Sequence, residues 1–421
     1  MPAVTSSPTT AVDGKTLDPS DTERVDSLAT AFAAVPDPRS AKGRWHPLPA
    51  ILLIAACALT CDADGFTAVW QWADDAPQKV LTRLRVRVDP LTGLAKPPSE
   101  RTIRRTITRV DAQAVEDAAG GFIASRLRVA GLGTNARTPP REREARRAAR
   151  RSTGPPTRRQ QRRRIAFDGK VLRGARRPDG TRVTLLAGVD HDTATVVGQR
   201  QIDGKTNEIP ELRTQIAGMD LTDALATADA AHCQKATAEQ IVASGGHYLL
   251  TLKANQAGLL ATVAPLLAGT DAEWADRSHH SAERGHGRTE QRTVRLTTAA
   301  GVDFPHAAQV FRTVRYRGGL DGQRTGKQVV YGITSQPAAG PADIATDQRR
   351  HWHVENRTHH VRDTTFDEDR SQIRTGNGPR TMAALRNLAI DTFRADGHAN
   401  IAHARRHHSH DYNRVLDLYG L

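Results

Sequence analysis

The hydrophobic period of this chain changes once, and the change straddles a segment that can bury almost nothing. Residues 133–164 read GTNARTPPREREARRAARRSTGPPTRRQQRRR, with twelve arginines between Arg137 and Arg164 and two proline pairs. A stretch of this kind cannot join a packed core and reads as a linker, over 133–163. Before it the apolar residues recur at helical spacing; after it they fall in short runs closed by turn residues. With 421 residues there is enough chain for two or three domains and a sizeable core.

Upstream, residues 1–22 are polar and rich in Ser, Thr and Pro and are expected to be disordered. Residues 23–132 read as an all-helical N-terminal domain. Its most apolar run, LPAILLIAACALT, would span roughly 20 Å at ~1.5 Å per residue, short of a ~30 Å hydrocarbon core, and so reads as a core helix. In KPPSERTIRRTITRV, Ser99 can cap a helix whose face carries Ile103, Ile107 and Val110. Arg101, Arg104, Arg105 and Arg109 decorate the remainder. That pattern suits a DNA-reading helix and equally suits an ordinary solvated face.

Downstream, IAFD, RVTLLAGVD and ATVVGQRQI read as strands, NEIPELRTQIAG as a helix, ALATAD as a strand, QKATAEQIVASGG as a helix and HYLLTLK as a strand. Three strands followed by alternating helices and strands predict an α/β fold, a mixed sheet flanked by helices, over 164–395. Residues 265–330 read as a β-rich insertion. A helix is expected from near Asp347, then the amphipathic PRTMAALRNLAIDTFRA, and 396–421 read as a basic tail.

The net charge is +14. A protein this basic usually meets a polyanion, here nucleic acid rather than membrane. Genomic base composition can explain arginine in place of lysine, but not its clustering; the linker is either a phosphate-neutralising arm or a solubilising spacer. Cys57 and Cys61 lie one helical turn apart in an apolar run and Cys233 stands alone, so neither a zinc nor a disulfide spacing is present. No basic-then-apolar leader pattern opens the sequence, and a cytoplasmic, nucleoid-associated location is expected.

Three acids stand out by position. Asp168 is placed at the end of the first strand, Asp229 at the end of the fourth, and Glu355 on a helix whose face it shares with Trp352 and His359. Asp190, Asp192 and Asp203 are rivals. If the two strands lie side by side and parallel, both aspartates emerge at one edge. With Glu355 they form an oxygen-donor pocket suited to Mg²⁺, two ions ~3.5–4 Å apart, with Mn²⁺ able to substitute. Three carboxylates so close need cations. Lys253, Asn255 and Gln256, in LKANQ, follow a strand near the acids and either touch DNA backbone or form a polar exit from the sheet. The His279, His280, His286 and His407, His408, His410 runs read as exposed.

IAFDGKVLRGA, KTNEIPEL, TADAAHCQKATAEQIVASGGHYLLTLKANQ, ERGHGRTEQR and RRHWHVENRTHHVRDTTFDEDRSQIRTGNGPRTMAALRNLAI together resemble, in order, the DDE transposases of bacterial insertion sequences, and among them the H-repeat-associated subgroup. The resemblance implies a ribonuclease-H-like core with a β-rich insertion before the last acid. It implies Asp168, Asp229 and Glu355 as catalytic, metal-holding residues, cleavage of DNA at element ends, and attack of the freed 3′-OH on target DNA. It further implies terminal inverted repeats and target DNA as partners, and a homodimeric synaptic complex. Broader relatives carry a Tyr, an Arg and a Lys around the glutamate; the corresponding positions here are Gln348, His351 and Arg362. Arg362 can replace a lysine on phosphate, and Arg349 or His351 can take the arginine's role. His360 stands where the family has a tryptophan. Arg162, Arg163, Arg164, Lys170 and Arg173 complete the expected DNA contacts. A nuclease that only hydrolyses, and an inactive DNA-binding relic, are the alternatives.

Overall fold

The computed structural model describes residues 27–130, 163–177, 179–202, 207–285, 287–321 and 323–421. The N-terminal 22 residues, the linker up to Arg162, Asp203 and His286 lie outside the described residues.

The helices before the linker are α1 (Leu28–Ala33), α2 (Leu48–Thr60), α3 (Phe66–Asp74), α4 (Gln78–Arg83), α5 (Glu100–Ile107) and α6 (Ala112–Val129). α2 is apolar on all sides and, apart from Pro49, entirely buried, as a helix without a polar face must be. Ser99 caps α5 by accepting from Thr102 N–H, and Ile103 and Ile107 face inward. The strands are β1 (Arg163–Arg176), β2 (Arg182–Asp190), β3 (Val196–Ile202), β4 (Ala224–Ala228), β5 (His247–Leu252), β6 (Ser278–Gly285), β7 (Arg288–Thr298), β8 (Gln309–Gly319) and β9 (Arg324–Thr334). Between them lie α7 (Glu208–Ala217), α8 (Lys235–Ala243) and α9 (Ala257–Leu266). After them come α10 (Pro341–His351), a π-helical turn (Val354–His359), α11 (His360–Thr364), α12 (Gly378–Ala395), α13 (Ile401–Ser409) and α14 (Tyr412–Leu418).

All nine strands form one sheet, in the order β3-β2-β1-β4-β5-β9-β8-β7-β6. β1, β2 and β3 pair antiparallel; β1–β4 and β4–β5 are parallel; β5–β9 and the meander β9-β8-β7-β6 are antiparallel. The β-rich segment therefore continues the sheet through β9. The pleat sorts side chains to the two faces. Ile165 and Phe167 of β1 pack with Leu212 and Ile216 of α7 and Ile241 of α8. Ala166, from the other face, packs with Ala187, Val189 and Val354 of the π-helical turn. This division brings the segment bearing Glu355 onto the face that Asp168 shares with Ala166.

β1 does not end at Asp168. It continues to Arg176 beside β2, with Asp168 opposite Ala187. What ends there is the parallel ladder with β4, whose last pair is Phe167 with Ala228. Asp168 and Asp229 are thus the next residues on two adjacent strands. α10 begins at Pro341, before the expected start near Asp347, because proline suits the first helical position and the Asp343 carboxylate accepts from Gly340 N–H at 2.8 Å. Its buried residues are only Ile344 and Asp347, so it shows little apolar period to read.

Residues 396–421 are no loose tail. α14 buries Val415 and Leu416 in the same core as Leu52, Ile123, Leu385 and Leu388, with Tyr419 beside it. The Tyr419 and Thr60 hydroxyls lie 2.6 Å apart in this core, and His408 is buried rather than exposed. Helices that precede the sheet in sequence and helices that follow it thus share one interior. Truncating Tyr419→Ala is expected to cost about 3–5 kcal/mol in urea unfolding; Tyr419→Phe, which removes only the hydroxyl, about 1 kcal/mol.

Candidate active site

Asp168, Glu355 and His359 each present a ligand atom within 4.8 Å of the others. The π-helical turn makes this possible: His360 N–H reaches back five residues to the Glu355 carbonyl, and Glu355 and His359 then stand together over β1. Turns of this kind recur at functional sites. His359 Nδ1 is 3.1 Å from Glu355 Oε2 and 3.5 Å from Asp168 Oδ2. The imidazole is 1% exposed, while both carboxylates open to the surface. Burial by itself would raise Asp168, but the hydrogen bond and charge of His359 hold it below the usual carboxylate range. The separate hydrogen bond from His359 to Glu355 lowers that carboxyl against its partial burial. Burial would lower His359, and the two carboxylates reverse that, raising it above the ordinary imidazole value.

Asp229 lies outside that 4.8 Å cluster but lines, with Asp168 and Glu355, one cavity of about 440 Å³. Its carboxylate accepts from Ala231 N–H at 3.0 Å, capping the short turn after β4. Beneath the acids, Thr227 Oγ1 sits 2.9 Å from His351 Nδ1 and 3.2 Å from His191 Nε2. Burial lowers His351, against the pull of Asp168 and Asp229. Burial, with the nearby His351 and His353, pushes His191 down to about 2. Both rings are neutral supports.

The expected DNA contacts divide sharply. Arg362 does not reach a phosphate: it is fully buried, its Nε donating to Glu368 Oε2 at 2.8 Å and its Nη1 to Gln199 Oε1 at 3.3 Å. Lys170 is buried as well, with Nζ 2.6 Å from both oxygens of Asp363. Arg163 pairs with Asp190 at 3.2 Å, and Arg164 with the buried Asp347. Asn255, exposed, and Gln256, half-buried, brace the loop after Asp229, donating to Ala230 O at 3.0 Å and Cys233 O at 2.7 Å. Lys253, Arg349 and His351 do line the cavity, Arg349 while paired with Glu283. Arg173 is largely exposed, 3.3 Å from Asp369. Arg101 and Arg105 are exposed on α5, as is Arg104, which pairs with Glu100 one turn earlier. Trp352 is exposed at the cavity wall.

Sequence reasoning missed several neighbours. Arg292 and Arg315, on β7 and β8, line the cavity and both pair with Glu290. Glu208 opens α7; its Oε2 lies 3.6 Å from the buried His232 Nε2, which is itself 3.9 Å from Asp229 Oδ1. A Cβ on Gly169 would stand 2.6 Å from Glu208 Cδ, so the glycine after Asp168 lets the Glu208 carboxylate lie against β1. The signal was the glutamate in NEIPEL, read only as part of a helix. Gly174→Ala, whose Cβ would meet the backbone N of Ser371 at 3.0 Å and the carbonyl of Asp369 at 3.1 Å, is expected to destabilise by about 1–3 kcal/mol, as overpacking does, checked by thermal unfolding alongside Gly169→Ala, where the Glu208 side chain can swing aside.

The segment that carries this site is matched by a known family. The transposase DDE domain family matches residues 159–391, and a companion described as DDE_Tnp_1-associated matches residues 29–123. The chain belongs to the transposase DDE domain family. It is similar to the "Putative transposase YncI" of Escherichia coli O157:H7, 26% identical over 384 residues, 88% of each protein. It is also similar to two Escherichia coli K12 proteins, "H repeat-associated putative transposase YhhI" and "Putative protein YbfL". Each is 31% identical over 250 residues, 55% of this chain and 64% of the relative. The chain thus spans just under two thirds of the length of those two. These names agree with the resemblance carried by the motifs. A piggyBac transposase synaptic complex with hairpin DNA aligns at 11% identity and a TM-score of 0.40, over 90% of this chain and 70% of that one, too loose a likeness to carry a fold assignment. Among the described residues, no helix is long and apolar enough to cross a membrane.

Proposed function

We propose that this transposase-family protein cuts DNA strands at the ends of an insertion sequence and joins the freed 3′-OH to target DNA, with Asp168, Asp229 and Glu355 holding two Mg²⁺ ions, or Mn²⁺ in their place. The observation that carries the reading is the meeting of Asp168 and Glu355 in one cavity with Asp229. The order β3-β2-β1-β4-β5, with β1, β4 and β5 parallel, supports a ribonuclease-H-like core.

The donor set fits divalent cations. Three part-exposed carboxylates share a cavity, and only an imidazole stands between two of them. When bound, such ions neutralise phosphate charge and make a hydroxyl a better nucleophile. The chain's own residues bind and orient. Lys253 offers a charge to the backbone phosphates, and Arg349 does so once it leaves Glu283. Neutral His351, fixed by Thr227, walls the cavity against excess water. The partners on this reading are terminal inverted repeats and target DNA, bound by a homodimer in the cytoplasm at the nucleoid.

The test is incubation of the purified full chain with DNA carrying the element's ends, a target plasmid, and Mg²⁺ or Mn²⁺. Joined products are expected. Cleavage without joining supports the nuclease alternative, and binding without cleavage supports the relic.

A further inference from the structure

We propose, on the basis of the function just stated, that His359 is itself a metal ligand, so that one of the two ion sites is a mixed oxygen–nitrogen site that prefers Mn²⁺ to Mg²⁺. An all-oxygen pocket was the expectation from sequence. The folded chain instead sets an imidazole nitrogen between two of the acids. Nδ1 lies 3.1 Å from Glu355 Oε2 and 3.5 Å from Asp168 Oδ2. Two ligands at right angles, each ~2.1–2.2 Å from an ion, stand about 3 Å apart. The nitrogen therefore already holds ligand spacing to both oxygens.

The ring has nowhere else to go. It is 1% exposed, it sits on a π-helical turn pinned by the His360 to Glu355 backbone bond, and the neighbouring Val354 is locked against Ala166 and Ala187. The carboxylates, in contrast, are open enough to admit an ion from the cavity side. An ion drawn between them displaces the proton that Nδ1 shares with the two carboxylates; the proton leaves to solvent through the cavity, and the ion meets Nδ1 as a third donor. Both ions favour carboxylate and water, but Mn²⁺, the lowest member of the first-row transition series, takes a single imidazole nitrogen into an oxygen-rich shell more readily than Mg²⁺, which is a purely hard ion. Asp229, outside this cluster, remains with Asp168 to serve the other ion through oxygen alone.

The test reads the metal rather than the reaction. The full chain is loaded with Mn²⁺ and examined by pulsed electron paramagnetic resonance for hyperfine coupling to ¹⁴N, and Mn²⁺ and Mg²⁺ affinities are measured by titration calorimetry. The wild type is expected to show the nitrogen coupling. His359→Gln is expected to lose it and to bind Mn²⁺ at least about tenfold more weakly with little change for Mg²⁺. If His359→Gln does not fold, His351→Gln replaces it; persistence of the coupling there assigns it away from His351, the imidazole that lines the cavity, and its loss there overturns the proposal. Mn²⁺ bound in the wild type without nitrogen coupling overturns the proposal while leaving the three-acid reading intact. Mn²⁺ binding undiminished in Asp168→Asn overturns both.

Discussion

On the proposed function, Asp168→Asn is expected to lower strand cleavage at element ends by about 10³-fold or more while leaving folding and DNA binding intact. The expected size follows from removing a member of a group that acts as a unit. Asparagine has the same shape, and the backbone at this position is held by β2, with Asp168 opposite Ala187. What is lost is charge. Asp168 links the two parts of the site, its Oδ2 lying 3.5 Å from His359 Nδ1 and its backbone following the last β1–β4 pair, as Asp229 does on β4. A neutral side chain leaves Glu355 as the sole carboxylate facing His359, and the site loses the field that draws cations in. Cleavage assays on end-bearing DNA, with mobility shift as the binding control, read the effect. A rate within tenfold of wild type would sink the assignment of Asp168.

Glu368→Ala unfolds the protein far more easily, by about 3–5 kcal/mol in urea denaturation. Glu368 is buried between two buried guanidiniums, Arg362 Nη2 at 2.6 Å and Arg386 Nη1 at 3.1 Å. Burial would raise its carboxyl, and the two arginines hold it below the usual range instead. Deleting it strands two positive charges with no counterion, which is the costly way to break a buried network. Since its folded value is depressed, its contribution is present at neutral pH and is lost as pH falls through that value. Acid destabilisation should therefore flatten in the variant. An unchanged denaturation midpoint would show that the two guanidiniums find other partners.

That network also explains why Arg362 was misread. Spacing along a helix places a residue relative to Glu355 but says nothing of what covers it. The chain turns back at Asp367, in the left-handed region with φ of 47°, and lays Glu368 over the guanidinium. Lys170 was misjudged for a similar reason, because Asp363 lies 193 positions away. The succession of strands and helices along the chain, by comparison, was legible: RVTLLAGVD and ALATAD are apolar runs closed by acids and turns, and the helix that follows ALATAD marks its end. The length of β1 was not, because beyond Asp168 it is half exposed, with Val171 outward and Leu172 inward, and charges interrupt the pattern. The C-terminal helices hid behind Arg406, His407 and Arg414 on their outer faces, while Ile401, Ala404 and Val415 point in.

His359 shows the finer limit. Its place on the glutamate's face was readable from the four-residue step, but the π-helical turn that swings both side chains onto Asp168 leaves no mark in composition or period. Only the folded chain shows the pocket to hold nitrogen as well as oxygen.

The bond from Leu28 N–H to the Tyr419 carbonyl, 3.1 Å long, ties nearly the first described residue to nearly the last. During synthesis the early helices must wait, their greasy faces uncovered, until the final segment leaves the ribosome, because contacts between such distant residues cannot form sooner. A copy of the gene interrupted ahead of residue 378 therefore yields a product with Leu52, Ile123 and their neighbours open to solvent. Such a product is bound for chaperones and proteases rather than for DNA.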